Sequence, residues 1–218
     1  MENKRKYDLL VFDWDGTLMD SAAEIVSAMQ AAIAETGLPK REDWQMRELI
    51  GLGMNEVLDR LFPELERDHV VALLAAYRQR YGMPGSSAGL FAGAFDTLDA
   101  LHQQGYTLAV ATGKSRRGLD MAMAQTGVSH YFPFSRCADE SASKPAPDML
   151  EDILLRSATE PERALMIGDT EYDLLMAQNA GVAAIGVACG VHDAGRLNAA
   201  GPLAVLEDVR ALPAWLQG

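Results

Sequence analysis

The sequence predicts an α/β protein with three α/β/α layers around a parallel sheet and with an inserted block of helices. Two observations support this prediction. Beyond residue 91, helix-like and strand-like segments alternate, which is typical of β-α-β units and a parallel sheet. Between residues 20 and 105 there is no strand signal, so the helical stretch there interrupts the alternating pattern.

The first predicted element is a buried strand, because residues 9–12 form a short apolar run. Ser21 and Glu24 match a capping box, and the helix that begins there is expected to end at Gly37. Apolar residues at helical spacing predict three more helices, over 41–50, 53–62 and 68–81. Small and turn-forming residues make 83–89 the most linker-like segment of the chain.

The second half is predicted to alternate regularly between helices and strands, and glycines end three of its helices. Helices are expected over 91–104, 116–126, 147–157 and 171–180. Strands are expected over 106–111, 132–137, 164–167 and 183–187, and the last of these is the final clear strand.

Composition and charge restrict the class of partner. The chain has 218 residues, of which 49% are hydrophobic, so it can bury a substantial core. Its formal net charge of −12 argues against a groove for nucleic acid and against an anionic membrane surface. A small phosphorylated substrate is still compatible, because a bound metal and a few local cations can reverse the field inside a cleft.

The cysteines and the start of the chain predict a cytoplasmic protein. The two cysteines, Cys137 and Cys189, are far apart and show neither a disulfide framework nor zinc-ligand spacing. The basic start is followed by an apolar run that is too short for a signal peptide or a membrane span. Oligomeric state is not encoded in any visible pattern, and a monomer or a homodimer is expected.

Polar residues follow the predicted strands where a parallel sheet places its sites. Ligands of such sheets lie outside the carboxyl ends of the strands. The candidates at strand ends or helix starts are Asp13, Asp15, Thr112, Gly113, Lys144, Asp169 and Asp173. Each fragment alone is also typical of a turn or a helix cap, but four of them in this order indicate a site. Two aspartates at the end of a buried strand repel each other, and a hard cation such as Mg²⁺ would relieve that repulsion.

Four motifs together resemble the haloacid dehalogenase superfamily of hydrolases, in the subgroup with a helical cap (subfamily IA). They are Asp13-Trp-Asp-Gly-Thr17, Thr112-Gly-Lys114, Lys144-Pro-x-Pro-Asp148 and Gly168-Asp-x-x-x-Asp173. Within that subgroup the sequence is most similar to phosphoglycolate phosphatase-like proteins. The resemblance implies a Rossmann-like core domain over 1–17 and 87–218, with a cap domain over 18–86.

The resemblance also implies a reaction and the residues that perform it. Asp13 would be the nucleophile that forms an aspartyl-phosphate, and Asp15 the general acid and then the general base. Mg²⁺ would be bound by the Asp13 side chain, the Asp15 backbone carbonyl and Asp169, while Asp173 completes the outer shell or holds Lys144. The expected substrate is a small phosphorylated metabolite, such as a phosphoglycolate-like monoester.

Phosphate and cap contacts follow from the same resemblance. Groups expected to hold the phosphoryl oxygens are Thr17, Thr112, the Gly113 amide and the Lys144 ammonium. The family's cap sequence is similar to residues 47–58, so Arg47 and Asn55 are possible contacts to the leaving group, although a solvated Arg47 is at least as compatible.

Other activities remain open at this level. A pyrophosphatase, a 5'-nucleotidase or a phosphosugar mutase of the β-phosphoglucomutase type would share the core motifs. A true haloacid dehalogenase is disfavoured because it lacks an aspartate at the position of Asp15. A non-catalytic phosphate-binding or interaction module is disfavoured because the nucleophile, the acid and the metal ligand are all present.

Three further residues carry expectations from position alone. Trp14 stands where relatives mostly have a smaller aliphatic residue, and strand alternation predicts that it points into the core, away from the two aspartates. Lys114 has no fixed role. His192 lies in a loop after the last predicted strand and is expected to be a solvated loop residue rather than part of the site.

Overall fold

The core of the protein is a six-stranded parallel sheet. The computed structural model describes residues 5–81 and 88–218. The strands are β1 (Leu9–Phe12), β2 (Thr107–Thr112), β3 (Phe134–Cys137), β4 (Ala164–Gly168), β5 (Ala183–Val187) and β6 (Ala204–Leu206). Their order is β3-β2-β1-β4-β5-β6, and every neighbouring pair is parallel. The predicted α/β class with a parallel sheet is confirmed.

Helices cover both faces of this sheet. In chain order they are α1 (Ala22–Glu35), α2 (Asp43–Arg47), α3 (Met54–Leu61), α4 (Arg67–Arg80), α5 (Ala94–Gln103), α6 (Arg116–Thr126), α7 (Asp148–Ser157), α8 (Glu171–Asn179), α9 (Ala194–Ala199) and α10 (Leu212–Trp215). Side chains of β1 alternate between two hydrophobic clusters, so that Leu10 and Phe12 pack with α5, α6 and α10, while Leu9 and Val11 pack with α7, α8 and α9. Burial on both faces explains why β1 is apolar at every position.

The first four helices form a unit with its own hydrophobic cluster. They lie between β1 and α5, and their buried residues, such as Met29, Leu58 and Leu73, form a third cluster apart from the two at the sheet. This agrees with the predicted insertion of a helical cap. The domain limits at 17/18 and 86/87 stay predictions, and 83–87 of the predicted linker lie outside the described residues.

Two expectations about local structure are wrong. The strand over 183–187 is not the last, because β6 pairs beyond it at the sheet edge; three half-buried residues give too short a pattern to detect. Ser21 does not cap α1, since its backbone is helical and its hydroxyl donates to Asp15 Oδ1 at 2.6 Å instead. The Ser21 hydroxyl thus donates its proton to Asp15, and its oxygen accepts no hydrogen bond from the first turn of α1.

The described helices include no candidate for a transmembrane span. None of them combines the length and the apolar character needed to cross a bilayer.

Candidate active site

The sheet order brings the predicted strand-end residues together. The strands β2, β1 and β4 are neighbours and in register, so their carboxyl ends place Thr112, Asp13 and Asp169 along one edge. All three side chains are buried, as is Lys144 before α7. The polar residues therefore converge as the rule for parallel sheets predicts.

Three buried carboxylates face one buried ammonium. Oxygens of Asp13, Asp169 and Asp173 lie within 4.8 Å of one another. Lys144 Nζ is 2.8 Å from Asp13 Oδ1 and 2.6 Å from Asp173 Oδ1. Burial alone would lower the pKa of Lys144, but these two carboxylates raise it above its ordinary value, so the ammonium stays charged. The negative charge of the cluster is only partly neutralised.

Asp13 is the least satisfied member of this cluster. Neither of its carboxylate oxygens accepts a hydrogen bond of good geometry, although the ammonium of Lys144 is close to one of them. Burial raises the pKa of Asp13 well above its ordinary value, Lys144 opposes the rise, and Asp173 and Asp169 add to it. Keeping this carboxylate ionised therefore requires additional positive charge.

Asp169 is oriented by two donors from different loops. Thr17 Oγ1 donates to Asp169 Oδ1 at 2.7 Å, and the Val191 amide donates to Oδ2 at 2.8 Å. Burial, with a contribution from Asp173, raises the pKa of Asp169 to about 7. Thr17, which is predicted to bind phosphate, directs its hydroxyl proton to Asp169 in this structure.

Glycines allow the backbone to approach this carboxylate. A Cβ on Gly16, whose φ is +89°, would lie 2.2 Å from Asp169 Oδ2, and one on Gly190 would lie 2.1 Å from the same atom. No other residue would fit at either position without moving Asp169. The turn after β1 and the loop after β5 thus enclose the acidic cluster.

Asp173 has committed both of its oxygens within the protein. Oδ1 accepts from Lys144, while Oδ2 accepts from the Thr170 hydroxyl at 2.7 Å and the Thr170 amide at 3.1 Å. The bond from the Thr170 amide is one half of the capping box of α8, and in the other half the Thr170 hydroxyl oxygen accepts from the Asp173 amide. Asp173 therefore holds Lys144 in place and has little capacity left for another ligand.

The donor set fits a hard divalent cation. Asp13 and Asp169 offer carboxylate oxygens at close range, and neither oxygen of Asp13 accepts a hydrogen bond of good geometry. Oxygen ligands with excess negative charge are those that Mg²⁺ prefers. A cation there would also compensate the charge that raises the pKa of both side chains.

Asp15 has entirely different surroundings, although it is only two residues from Asp13. Three groups converge on its Oδ1: the Ser21 hydroxyl at 2.6 Å, the Lys114 ammonium at 2.9 Å and the Tyr81 hydroxyl at 3.1 Å. Lys114 Nζ also donates to the Tyr81 hydroxyl at 2.5 Å and lies over its ring. Tyr81 is the residue directly after α4, so the inserted helical unit contacts Asp15 directly.

Trp14 lies on the opposite side of the chain from both aspartates, as predicted. It is fully buried in the hydrophobic cluster of one sheet face, with its ring edge-on to Phe132 and its Nε1 donating to Met19 Sδ at 3.1 Å. This residue therefore supports the site through packing.

The inserted helices rest on the sheet edge. A Cβ on Gly113 would lie 2.5 Å from the carbonyl oxygens of both Gly51 and Leu52, so the loop before α3 directly covers the loop after β2. The Gly53 amide donates to Ser143 Oγ at 2.9 Å on the other side of the same loop. The helical unit therefore covers the carboxyl ends of the strands in this structure.

Other predicted residues are placed as follows. Arg47 and Asn55 are exposed and line neither of the two cavities at this interface. Thr112 Oγ1 accepts from the Lys114 amide at 3.2 Å, which leaves its hydroxyl proton free to be donated.

The expectation of a solvated His192 is wrong. The His192 side chain is buried, and its Nδ1 accepts a hydrogen bond from the Glu171 amide at 3.0 Å. Burial lowers the pKa of His192.

Sequence reasoning did not find Ser21 and Tyr81 as partners of Asp15. Ser21 carried a signal, since it lies in the same loop, but that signal also fits a helix cap. Tyr81 is separated from Asp15 by 66 positions and occurs in no motif, so only the packing of α4 reveals it.

Comparison with known proteins decides the family. A family model described as a haloacid dehalogenase-like hydrolase matches residues 10–187, which is most of the chain. The chain belongs to the haloacid dehalogenase-like hydrolases. It is 34% identical over 204 residues to a protein named "Probable phosphatase IndB" of Dickeya dadantii, covering 91% of this chain and 89% of that protein.

Further relatives of this haloacid dehalogenase-like hydrolase agree. A phosphoglycolate phosphatase of Agrobacterium fabrum is 34% identical over 212 residues, covering 94% of this chain and 90% of the relative. The crystal structure of a predicted phosphoglycolate phosphatase from Haemophilus somnus superposes with a TM-score of 0.89 at 23% identity, over 98% of this chain and 99% of that one, and supports the fold. The predicted resemblance, including the assignment to the phosphatases, is confirmed.

Proposed function

We propose that this haloacid dehalogenase-like phosphatase hydrolyses a small phosphate monoester with Mg²⁺, through an aspartyl-phosphate on Asp13. The observation that carries the proposal is the buried Asp13 carboxylate, which accepts no hydrogen bond of good geometry while Lys144 lies 2.8 Å from it. Leaving a buried carboxylate without hydrogen bonds costs free energy. That cost is understandable where the oxygen must be free to attack phosphorus.

The first step divides the work between two aspartates. An Asp13 oxygen attacks phosphorus, the bond from phosphorus to the alcohol oxygen breaks, and protonated Asp15 donates its proton to that leaving oxygen. Convergence of three donors on Asp15 Oδ1 fixes the orientation of the carboxyl group and leaves Oδ2 as the atom that carries the proton. Different surroundings for the two carboxylates support their different roles.

The second step reverses the role of Asp15. Its carboxylate removes a proton from water, the water oxygen attacks phosphorus, and the bond to Asp13 breaks to release inorganic phosphate. Asp13, Asp169 and the backbone carbonyl of Asp15 are the groups proposed to hold Mg²⁺. When bound there, the ion supplies positive charge that offsets the charge of the phosphoryl group and the nucleophile.

Neutral and cationic donors around Asp13 are proposed to hold the phosphoryl oxygens. The Thr112 hydroxyl proton is free for this purpose, and the Lys144 ammonium is already beside Asp13. The Gly113 amide belongs to the same loop. Such fixed donors stabilise the transition state without reorganisation during the reaction.

The substrate is proposed to be a small phosphorylated metabolite of the cytoplasm. Relatives named phosphoglycolate phosphatase make phosphoglycolate one compound to test. The proposed cytoplasmic location is supported by two free cysteines, Cys137 and Cys189.

Replacement of the nucleophile tests the mechanism. We expect Asp13→Asn to reduce Mg²⁺-dependent phosphate release from p-nitrophenyl phosphate by at least about a thousandfold, because the amide cannot form the acyl phosphate. Asp59→Asn, at an exposed position of α3, is the matched control and should keep full activity. Undiminished turnover in the Asp13 variant, or full activity of the natural protein in EDTA, would rule out the mechanism or the metal.

A further inference from the structure

A cavity of about 120 Å³ lies between the inserted helices and the sheet edge, with Asp15 in its wall. Most of its lining is aliphatic or aromatic and comes from the helices α1 to α4 and the segment between α2 and α3. The main contributors are Ile25, Met29, Leu49, Met54, Leu74 and Tyr77. The cavity therefore begins at the residue proposed to protonate the leaving group and continues into apolar surroundings.

We infer that this cavity takes the alcohol part of the substrate, and that this part is an uncharged apolar body such as an alkyl chain or a ring. The inference rests on the proposed function, because Asp15 must deliver its proton to an oxygen that carries this body. Gly113, which belongs to the proposed phosphate loop, also lines the cavity. The phosphoryl group of an ester would thus contact the donors of this loop while its alcohol part contacts the apolar wall.

Charge in the cavity argues against an anionic leaving group. Lys114 reaches the cavity, but its ammonium is 2.9 Å from Asp15 Oδ1 and also donates to Tyr81. A carboxylate placed against this largely apolar wall would be desolvated, and the Lys114 ammonium beside it is already engaged by Asp15 and Tyr81. Each buried methylene, by contrast, favours binding by about fourfold.

Arg78 is a second cationic residue that lines the cavity. It is exposed and lines both this cavity and a wider one of about 520 Å³, which also has Glu24, Arg117 and Asp139 in its wall. An exposed guanidinium is solvated, so it does not provide a dry binding site for an anion. The wider, charged cavity is suited to the outer, solvated end of a longer leaving group.

A series of alkyl phosphates tests the inference with the chemistry held constant. Ethyl, butyl and hexyl phosphate have leaving alcohols of nearly equal acidity, so differences in kcat/KM report on the cavity. We expect kcat/KM to rise by about tenfold or more from ethyl to hexyl phosphate. We also expect propyl phosphate to exceed 2-phosphoglycolate, which is of similar size and carries a carboxylate.

A variant in the wall links the effect to this cavity. Leu74→Ala should lower kcat/KM for hexyl phosphate about tenfold more than for ethyl phosphate, since it removes apolar surface from the wall. Leu155→Ala is the matched control, because that leucine is 80% exposed on α7 and lines neither cavity. Its ratio of hexyl to ethyl activity should equal that of the natural protein.

The outcomes separate this inference from the function on which it rests. Hydrolysis of ethyl phosphate that depends on Asp13, with no gain for the longer chains or with a preference for 2-phosphoglycolate, would overturn the apolar cavity and leave the phosphatase mechanism standing. Failure to hydrolyse any of these esters would overturn the proposed function, and this inference with it.

Discussion

At the scale of single residues, two aspartates of identical chemistry are made different by their neighbours. Asp13 accepts no hydrogen bond of good geometry and lies beside Lys144, whereas Asp15 receives three donors on one oxygen. Alternation along the extended chain does not separate these two residues, since it places them on the same side. The distinction comes instead from what packs against each carboxylate.

The Tyr81 hydroxyl provides a test of this distinction. We expect Tyr81→Phe to lower kcat by about tenfold with little change in KM, because it removes one hydrogen bond to the Asp15 carboxylate and one acceptor for Lys114. Initial-rate kinetics with p-nitrophenyl phosphate would measure both parameters, and thermal unfolding would verify that stability is retained.

Tyr131→Phe is the matched control for this variant. Its hydroxyl donates to Asp99 at 3.0 Å, which is the same kind of tyrosine-carboxylate bond at a place remote from the strand ends. We expect its kcat to equal that of the natural protein. If the two variants had equal kcat values, Tyr81 would have no part in positioning Asp15.

At the scale of elements, the loop between α2 and α3 makes the contact that covers the strand ends. Its carbonyl groups at Gly51 and Leu52 pass so near Gly113 that no side chain fits between them. Gly53 and Ser143 add a hydrogen bond beside this contact. The contact between the helical unit and the core therefore depends on the close approach of the backbone at Gly51 and Leu52 to that at Gly113.

Gly113→Ala tests this closure while keeping the amide that is proposed to bind phosphate. The added methyl would lie 2.5 Å from two carbonyl oxygens, so the helical unit cannot close fully. We expect kcat/KM to fall by about a hundredfold or more, since closure excludes water and completes the site. Thermal unfolding should show a stable protein, because the methyl group would clash only at the contact between the two units and not within the core of either.

Gly89→Ala is suited as the control for that experiment. A Cβ there meets no atom within 4 Å, and the backbone is not in the left-handed region. Activity close to that of the natural protein is expected. A Gly113→Ala variant as active as this control would show that close contact between the two loops is not needed for catalysis.

At the scale of the whole molecule, an acidic chain concentrates uncompensated negative charge at its centre. The net charge is −12, and within the described residues three of the acidic side chains are buried together around one ammonium, at two strand ends and the start of α8. Folding must therefore overcome a local electrostatic cost, which bound metal or bound protons reduce.

The pH dependence of stability should reveal that cost. Burial raises the pKa of Asp169 to about 7 from an ordinary value of 3.8, so between these values the folded state binds a proton that the unfolded chain has released. The free energy of unfolding of the metal-free protein should thus increase, on the order of a few kcal/mol, when the pH falls from 8 to 5. Urea unfolding in EDTA at several pH values measures this.

Two comparisons complete the pH experiment. Asp169→Asn should be more stable than the natural protein at pH 8 in EDTA and should show a weaker pH dependence. Added Mg²⁺ should stabilise the natural protein most above pH 7, where the carboxylates are ionised. A metal-free natural protein whose stability did not depend on pH between 5 and 8 would contradict the raised pKa.

Most of the fold can be predicted from local sequence patterns, but not all of the residues that contact the two aspartates can. Apolar runs and glycine stops identify five of the strands and the helices up to α8, because each has several residues of clear periodicity. The strand β6 and the two terminal helices are too short for such a signal. Strand ends predict Asp13, Thr112 and Asp169, since parallel strands align their ends.

Contacts between the inserted helices and the core lie beyond such reasoning. Tyr81 and the approach of Gly51 to Gly113 depend on how two separately packed units meet, and no periodicity within either unit encodes that angle. For His192 the loop position suggested exposure, but the side chain is buried and accepts a hydrogen bond from the first residue of α8.

The contact of Tyr81 with Asp15 limits how modular this enzyme is. A chimaera with a different helical unit would exchange the apolar wall of the cavity and, where that unit has no tyrosine at this place, would also lose a donor to Asp15. A change of α4 and the residue after it would therefore alter both substrate specificity and turnover. Engineering of new selectivity on this scaffold is better done by replacing wall residues one at a time while the tyrosine at position 81 is kept.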